Sequence, residues 1–416
     1  DLFIIPLDDG ADWFRYHHLF QQMLQQKAAT RLGNPFILAS RKQAGDWFAS
    51  QGYIDEALHQ FLDGEYLESA VALIEDNSRN LLNSIERQRL ERWMALLPET
   101  IIWSRPGLLV AKAWLYYRHW RLNALAHVLH RLQECLLSDD VDLTQREKEF
   151  MLGQLYTLSS VTTYFLDQDF SSCITSAKKA LVLLPQSEKG AQSISLAVMS
   201  LALLAQGQQK AAIEQLLQAL NDPPPKGPAR AQLYIGLSFV HITSGDIYSL
   251  ERVAEQFLTL ADVVLAAITP ANWITGIGRY EMNQLDAARE AFSTTAALHY
   301  TTNFMAACDS WLSLTRICQI QGDMDEAQKY LDTVQAEALR LDCTDLLPAI
   351  EGLQAYQWFL QSEIPRALHW ASTFQPEKTV DYIPLSFNQI FFWARILAGQ
   401  GEENACQTAR QIIENK

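Results

Sequence analysis

The sequence predicts an all-α fold: a right-handed superhelix of stacked antiparallel helix pairs, entered through a short hairpin and a helix. Three observations carry that expectation. A turn signature recurs about every 39 residues, small residues stand at a constant distance before it, and turn formers are scarce. Gly and Pro number only 18 and 14 in 416 residues, below the usual combined share of ~12%, which favours helices joined by short turns over a many-stranded sheet. Hydrophobic residues make up 49% and charged residues 19%, enough for a buried core and too apolar for global disorder.

The first elements differ from the rest. Leu2-Phe3-Ile4-Ile5 is a short apolar run, Asp8-Asp9-Gly10 is turn chemistry, and Trp13-Phe14-Arg15-Tyr16 is a second β-prone run. Past His17-His18, the residues Leu19, Phe20, Met23 and Leu24 take up helical spacing. Strand, turn, strand and helix over residues 1–35 is the pattern expected at the end of a small winged-helix unit, and the start at Asp1 reads as the middle of a domain of a longer parent protein. From residue 36 the pattern is helical. Ala44, Trp47 and Phe48 share one face, and Gly52 to Ala57 and Gly64 to Ala70 each read as a helix end followed by a new helix with acids in its first turn. Residues 36–135 are expected to form a helical adaptor.

Over 136–416 the punctuation becomes regular. Taking the fifth residue after the turn Gly or its equivalent as the anchor gives Cys173, Ala212, Leu250, Ala288, Ala327, Ala367 and Cys406, with spacings of 39, 38, 38, 39, 40 and 39. A degenerate copy starts at Trp120, 48 residues upstream by its anchor Leu125, and the acidic insert Ser138-Asp139-Asp140-Val141-Asp142 accounts for the excess. Twelve positions before the anchors stand Ser200, Ser238, Gly276, Thr315, Ala355 and Ala394, all small, as close crossing of two helices requires; Val161 in the first copy breaks the pattern. Period and turn type favour tetratricopeptide-like pairs with lengthened helices, about eight in all. The segment Asp222-Pro223-Pro224-Pro225-Lys226-Gly227-Pro228 cannot be helical throughout and reads as a joint between repeats.

Charge and motifs narrow the function. With 33 basic against 48 acidic residues the net charge is −15, which argues against direct contact with DNA or RNA. No run approaches the ~20 apolar residues of a membrane span. The six cysteines are scattered without a CxxC pair, so reduced thiols and a cytoplasmic location are expected. His127, His130 and Cys135 are the nearest approach to a metal cluster, but their spacing lacks a fourth ligand. No nucleophile elbow, metal motif or phosphate loop is found, and Gly276-Ile277-Gly278 is a lone GxG inside a helix; no enzyme activity and no cofactor are expected. His17-His18 lacks a positioned partner for acid–base work.

The segments Leu2-Phe-Ile-Ile-Pro-Leu-Asp-Asp9 and Trp13-Phe-Arg-Tyr-His-His-Leu-Phe20 resemble the large ATP-dependent LuxR-type, MalT-like transcription regulators, where such a segment closes the winged helix after the ATPase. Ala44 to Ile74, Trp93-Met-Ala-Leu-Leu-Pro98 and Ser104-Arg-Pro106 are similar to the family's next helices. The specific resemblance covers about residues 1–130; beyond it only the style and period of the repeats match. It implies a signal-receiving and oligomerisation segment whose ATPase lies upstream and whose DNA reader lies downstream.

In helix-pair arrays the first helix of each pair lines the concave groove. Positions 15, 11 and 8 before the anchors then select Trp273, Ile277 and Tyr280; Leu312, Arg316 and Gln319; Gly352, Tyr356 and Phe359; and Phe391, Arg395 and Ala398. Among these, Trp273, Tyr280, Arg316, Gln319, Tyr356 and Arg395 are the expected ligand-binding residues. Aromatic faces beside Arg and Gln suit an uncharged or anionic small molecule, and the family resemblance adds an oligosaccharide precedent. The expected partners are a small inducer or a regulatory protein, with self-association possible. The alternative is a generic tetratricopeptide-type protein-interaction scaffold; a basic clamp would mark its peptide-tail version, for which only Arg316 and Arg395, some two repeats apart, are offered.

Overall fold

A computed structural model describes residues 3–6, 14–82, 87–138, 143–221, 225–261, 265–301, 304–375 and 389–399, with 407 and 410. The Asp8–Gly10 turn, the acidic stretch 139–142, Pro223 and Pro224, and the last signature from Gly401 to Cys406 lie outside the described residues. The chain folds as two compact units, Asp1–Ile102 and Trp103–Lys416.

The first unit opens with β1 (Ile4–Pro6) antiparallel to β2 (Phe14–Tyr16), Ile4 opposite Tyr16. The backbone N–H of His17 donates to the Phe3 carbonyl at 2.8 Å, and Phe20 packs its ring on Phe3 at 4.7 Å, so hairpin and helix are joined by both backbone and side chains. Helix α1 (His18–Ser50) is interrupted at Gly33, whose φ of 79° and ψ of 161° leave helical space just ahead of Pro35. It is followed by α2 (Ile54–Asp63), α3 (Leu67–Leu82), α4 (Arg87–Ala95) and α5 (Glu99–Ile102). Ala57, Leu58, Phe61, Ala70, Val71, Ile74 and Leu90 supply the core. Asp55 opens α2 and accepts hydrogen bonds from Arg89 and from the Trp93 indole. Partial burial raises the Asp55 pKa, but these two donors outweigh it and hold the carboxyl below its ordinary value. One turn differs by a residue from expectation: Gly64 has an ordinary φ of −91°, and the left-handed position falls on Glu65.

The second unit is a stack of helix pairs: α6 (Pro106–Arg118) with α7 (Leu122–Leu137), α8 (Gln145–Thr162) with α9 (Phe170–Leu183), and α10 (Lys189–Ala205) with α11 (Gln209–Asn221). Then come α12 (Gly227–Thr243) with α13 (Ile247–Ala261), α14 (Leu265–Glu281) with α15 (Leu285–Ala297), α16 (Phe304–Gln321) with α17 (Met324–Arg340), α18 (Leu347–Leu360) with α19 (Ile364–Thr373), and α20 (Gln389–Ala398). The pair α6–α7, expected with the adaptor, packs in this unit. Successive first helices touch one another, forming an inner layer, and each second helix bridges to the next pair. One apolar cluster runs from Leu109 to Ile396.

The turn signature has a single geometric meaning. Trp120, Gln168, Gly207, Gly245, Asn283, Gly322 and Ser362 all have positive φ, between 53° and 82°, and each ends a first helix. The left-handed residue reverses the chain; three are Gly, and the others take the conformation because packing on either side enforces it. The anchors Cys173, Ala212, Leu250, Ala288, Ala327 and Ala367 are all fully buried. So are Ser200, Ser238, Thr315 and Ala355, while a Cβ on Gly276 would sit 2.7 Å from the Phe292 ring. The exception at Val161 has a local cause. Helix α8 ends in a π-type turn, Thr163–Asp167, which carries one residue more than an α-turn and brings fully buried Ser160 to the small-residue position. Helix α12 opens on left-handed Gly227 with Pro228 in its first turn, a joint between pairs.

Two distant parts of the stack meet. The turn from His119 to Arg121 lies against the loop after α17: Arg121 ion-pairs with Asp342, and the buried Cys343 thiol donates to the His119 carbonyl at 2.7 Å.

Candidate functional site

Four successive first helices, α14, α16, α18 and α20, each contribute side chains to one cluster on the inner layer. Tyr280 comes from α14, Arg316 and Gln319 from α16, Tyr356 from α18, and Phe392 and Arg395 from α20. The Arg316 guanidinium lies 4.8 Å from the Tyr356 ring centre and 5.8 Å from that of Phe392, while Arg395 approaches the same Tyr356 ring at 5.8 Å. Tyr356 and Phe392 are 5.3 Å apart, and Phe359 stacks on Tyr356 at 6.2 Å. An aromatic floor therefore carries two guanidinium groups.

Hydrogen bonds hold this arrangement from beneath. Arg316 Nη1 donates to Gln319 Oε1 at 3.4 Å. Gln319 is buried, and its amide nitrogen is used on Gln357 Oε1 at 3.3 Å and the Leu353 carbonyl at 3.4 Å, which turns its oxygen toward the guanidinium. Gln357 in turn donates to Gln328 at 3.1 Å and to the Met324 carbonyl at 3.2 Å. The half-buried Tyr280 phenol has its pKa raised by burial; Arg316, which hydrogen-bonds it, and the charge of Arg395 act against that shift. Tyr280 thus stays a protonated donor across neutral pH.

Five of the six residues expected from spacing, Tyr280, Arg316, Gln319, Tyr356 and Arg395, come together. Trp273 does not join them. It is 1% exposed, its indole N–H donates to Asp309 Oδ2 at 2.6 Å, and its ring meets Phe239 edge-on at 5.3 Å. The neighbouring helices α12 and α16 close over it, so it belongs to the core. Ile277, Leu312 and Gly352 are buried as well, and Phe391, 49% exposed, turns away while its neighbour Phe392 enters the site. Spacing pointed to Phe391 and not to Phe392, counting from Cys406, which lies outside the described residues, and it missed Gln357 because that residue supports the site without facing it.

Asp309 was also missed, although it is the one charged residue in the apolar stretch from Phe304 to Thr315. It is fully buried; desolvation pushes its pKa up to about 7 against the stabilising Trp273 hydrogen bond, and among the described residues Oδ1 has no partner.

The other singled-out groups have local explanations. His127 packs edge-on against Trp103 at 5.3 Å, exposed His130 lies 3.5 Å from Glu134, and Cys135 is buried, so the three side chains do not converge. His17 and His18 pack on each other at 4.3 Å at the strand–helix junction. Among the described residues, no group of three or more His, Cys, Asp or Glu is placed to hold a metal, and no helix is long and apolar enough to cross a membrane.

A layered array of helix pairs with an aromatic and basic patch on its inner layer defines the class: a tetratricopeptide-like superhelical repeat scaffold. The chain belongs to the MalT-like TPR region family, whose pattern matches residues 159–415, and residues 1–35 match the MalT winged helix domain. It is similar to the HTH-type transcriptional regulator MalT of Klebsiella pneumoniae subsp. pneumoniae, 29% identical over 133 residues that cover 32% of this chain and 15% of that protein. It is also similar to the serine/threonine-protein kinase PknK of Mycobacterium tuberculosis, 26% identical over 167 residues covering 40% of this chain and 15% of the kinase. The matches thus span about 15% of the length of these relatives. Among solved structures, a Rap protein complexed with Competence and Sporulation Factor shares the fold, with a TM-score of 0.54 and 14% identity over 83% of this chain and 96% of that one.

Proposed function

We propose that this chain is the signal-receiving and oligomerisation segment of an ATP-dependent LuxR-type transcription regulator, acting in the cytoplasm and without catalysis of its own. Its inducer is a small molecule bound by the cluster of Tyr280, Arg316, Gln319, Tyr356 and Arg395, in which Gln319 orients Arg316. The observation that carries this reading is the convergence of those side chains from four successive first helices. A ligand bridging them reports on the relative placement of whole repeats. It would shift the population toward the arrangement competent to assemble, and only by the difference in its affinity for the two arrangements. Among the described residues, Cys135, Cys173, Cys308, Cys318 and Cys343 are buried free thiols, which accords with a reducing compartment.

The test is a thermal-shift screen of sugars, nucleotides, amino acids and organic acids against the chain and against Tyr356→Ala. A compound that stabilises the native protein and loses its effect in the variant supports the reading. If no compound stabilises the protein while a regulatory protein is recovered as a stoichiometric partner, the scaffold function replaces it. Turnover of a substrate by the purified chain would refute the non-catalytic assignment.

A further inference from the structure

We infer that the ligand of the inner-layer cluster is an anion, a small molecule presenting a phosphate or a pair of carboxylates beside a flat apolar portion, gripped jointly by Arg316 and Arg395. This rests on the reading of the cluster as a small-molecule site and adds the charge of what it binds.

The first ground is the absence of a counter-charge. The chain has 48 acidic and 33 basic residues, so arginines readily meet carboxylates. Arg41 pairs with Asp63 at 2.8 Å, Arg279 with Glu251 at 3.3 Å, and Arg366 with Glu363 at 2.6 Å. Arg316 and Arg395 share one aromatic ring, yet among the described residues neither has a carboxylate within ion-pair distance. Glu281 follows Tyr280 and acts on its phenol, but desolvation is the one influence that moves its own pKa, upward, and neither arginine pulls it down. Two like charges held together in an acid-rich chain are stabilised when an anion sits between them.

The second ground is the balance of donors and acceptors. The guanidinium groups are donors only, and the Tyr280 phenol already stands near Arg316. The amide oxygen of Gln319 is spent on Arg316, and its nitrogen on Gln357 and Leu353. A polyhydroxylated neutral ligand needs acceptors for its hydroxyl hydrogens, and this site has few to spare. Phosphate and carboxylate oxygens only accept, and they match forked guanidinium geometry. Half-buried Phe359, backed by buried Tyr356 and Phe392, provides the apolar edge against which a flat ligand body rests.

The test uses the whole 416-residue chain with four probes: phenyl phosphate, phthalate, inorganic phosphate and neutral phenyl glucoside, followed by calorimetric titration. Phenyl phosphate or phthalate is expected to bind, inorganic phosphate more weakly, and the tighter of the two aryl anions identifies the head group. Arg316→Gln and Arg395→Gln should each weaken binding by about tenfold or more, and the affinity should fall with added salt. Arg395 is exposed, so its variant keeps the test informative should Arg316→Gln fold poorly. Failure of both aryl anions at millimolar concentration, or binding indifferent to both arginine variants and to salt, overturns the inference. If phenyl glucoside then binds in a Tyr356-dependent manner, the small-molecule reading survives with a neutral ligand; if nothing in the wider screen binds at Tyr356, that reading fails too.

Discussion

Asp309 is a carboxyl held in surroundings that disfavour its charge. Its pKa of about 7 in the folded chain lies above the ordinary 3.8, because burial penalises the carboxylate more than the Trp273 N–H stabilises it. The native state therefore keeps a proton that the unfolded chain releases. Stability from this group is complete below the ordinary value and is lost as the pH rises through about 7. Asp309→Asn keeps an oxygen for Trp273 and removes the charge. Urea unfolding at about pH 5 and about pH 8 should show the native protein losing stability on the order of a few kcal/mol more than the variant. Parallel pH dependence of the two proteins would show that Asp309 is not the titrating group. Such a carboxyl was visible as the lone acid in an apolar helix, but its depth depends on two neighbouring helices that no local pattern reports.

At the scale of elements, the reversal after each first helix and the crossing inside each pair can be tested separately. Ser362 has a φ of 65°, a conformation that disfavours a side chain, so Ser362→Gly should stabilise by up to about 1 kcal/mol, and Gly322→Ala, at 82°, should destabilise by about that amount. Opposite signs in chemical denaturation confirm that one geometry serves Gly and non-Gly turns alike; equal signs would refute it. Close crossing between two first helices brings backbone into range at Gly236, where a Cβ would lie 2.6 Å from the Ala197 Cβ and 3.0 Å from its Cα. Backbone cannot yield as a side chain does, so Gly236→Ala should destabilise by about 1–3 kcal/mol, with a lowered denaturation midpoint as the readout. The repeat phase located these turns because αL residues and small crossings leave a compositional trace. It missed the shift to Glu65, which leaves Gly64 in place beside it, and it registered the π-type turn Thr163–Asp167 only as the exception at Val161.

Across the second unit, stability is not purely a matter of neighbouring repeats. A linear stack would couple each pair only to the next. Here Arg121 and His119 meet Asp342 and Cys343, more than two hundred positions along the chain. Asp342 is exposed, and an exposed ion pair contributes no more than about 1 kcal/mol. Asp342→Ala should therefore leave the denaturation midpoint nearly unchanged while speeding amide exchange at the His119–Arg121 turn by up to about fivefold. Unaltered exchange there would mean that the Arg121–Asp342 pair does not help to hold this turn.

The residues alone suffice to identify helix pairs, their period, the reversal points and the candidate stripe on the first helices, because helical periodicity and αL turns are local properties that each residue type advertises. They also indicate Tyr280, Arg316, Gln319, Tyr356 and Arg395, which fall in phase. Folding in three dimensions is what separates these five from Trp273 on the same stripe, admits Phe392, leaves Arg316 and Arg395 without a carboxylate among the described residues, and brings Asp342 to Arg121. Each of those depends on how far one helix is displaced against the next, and that displacement arises from packing among residues far apart in the chain.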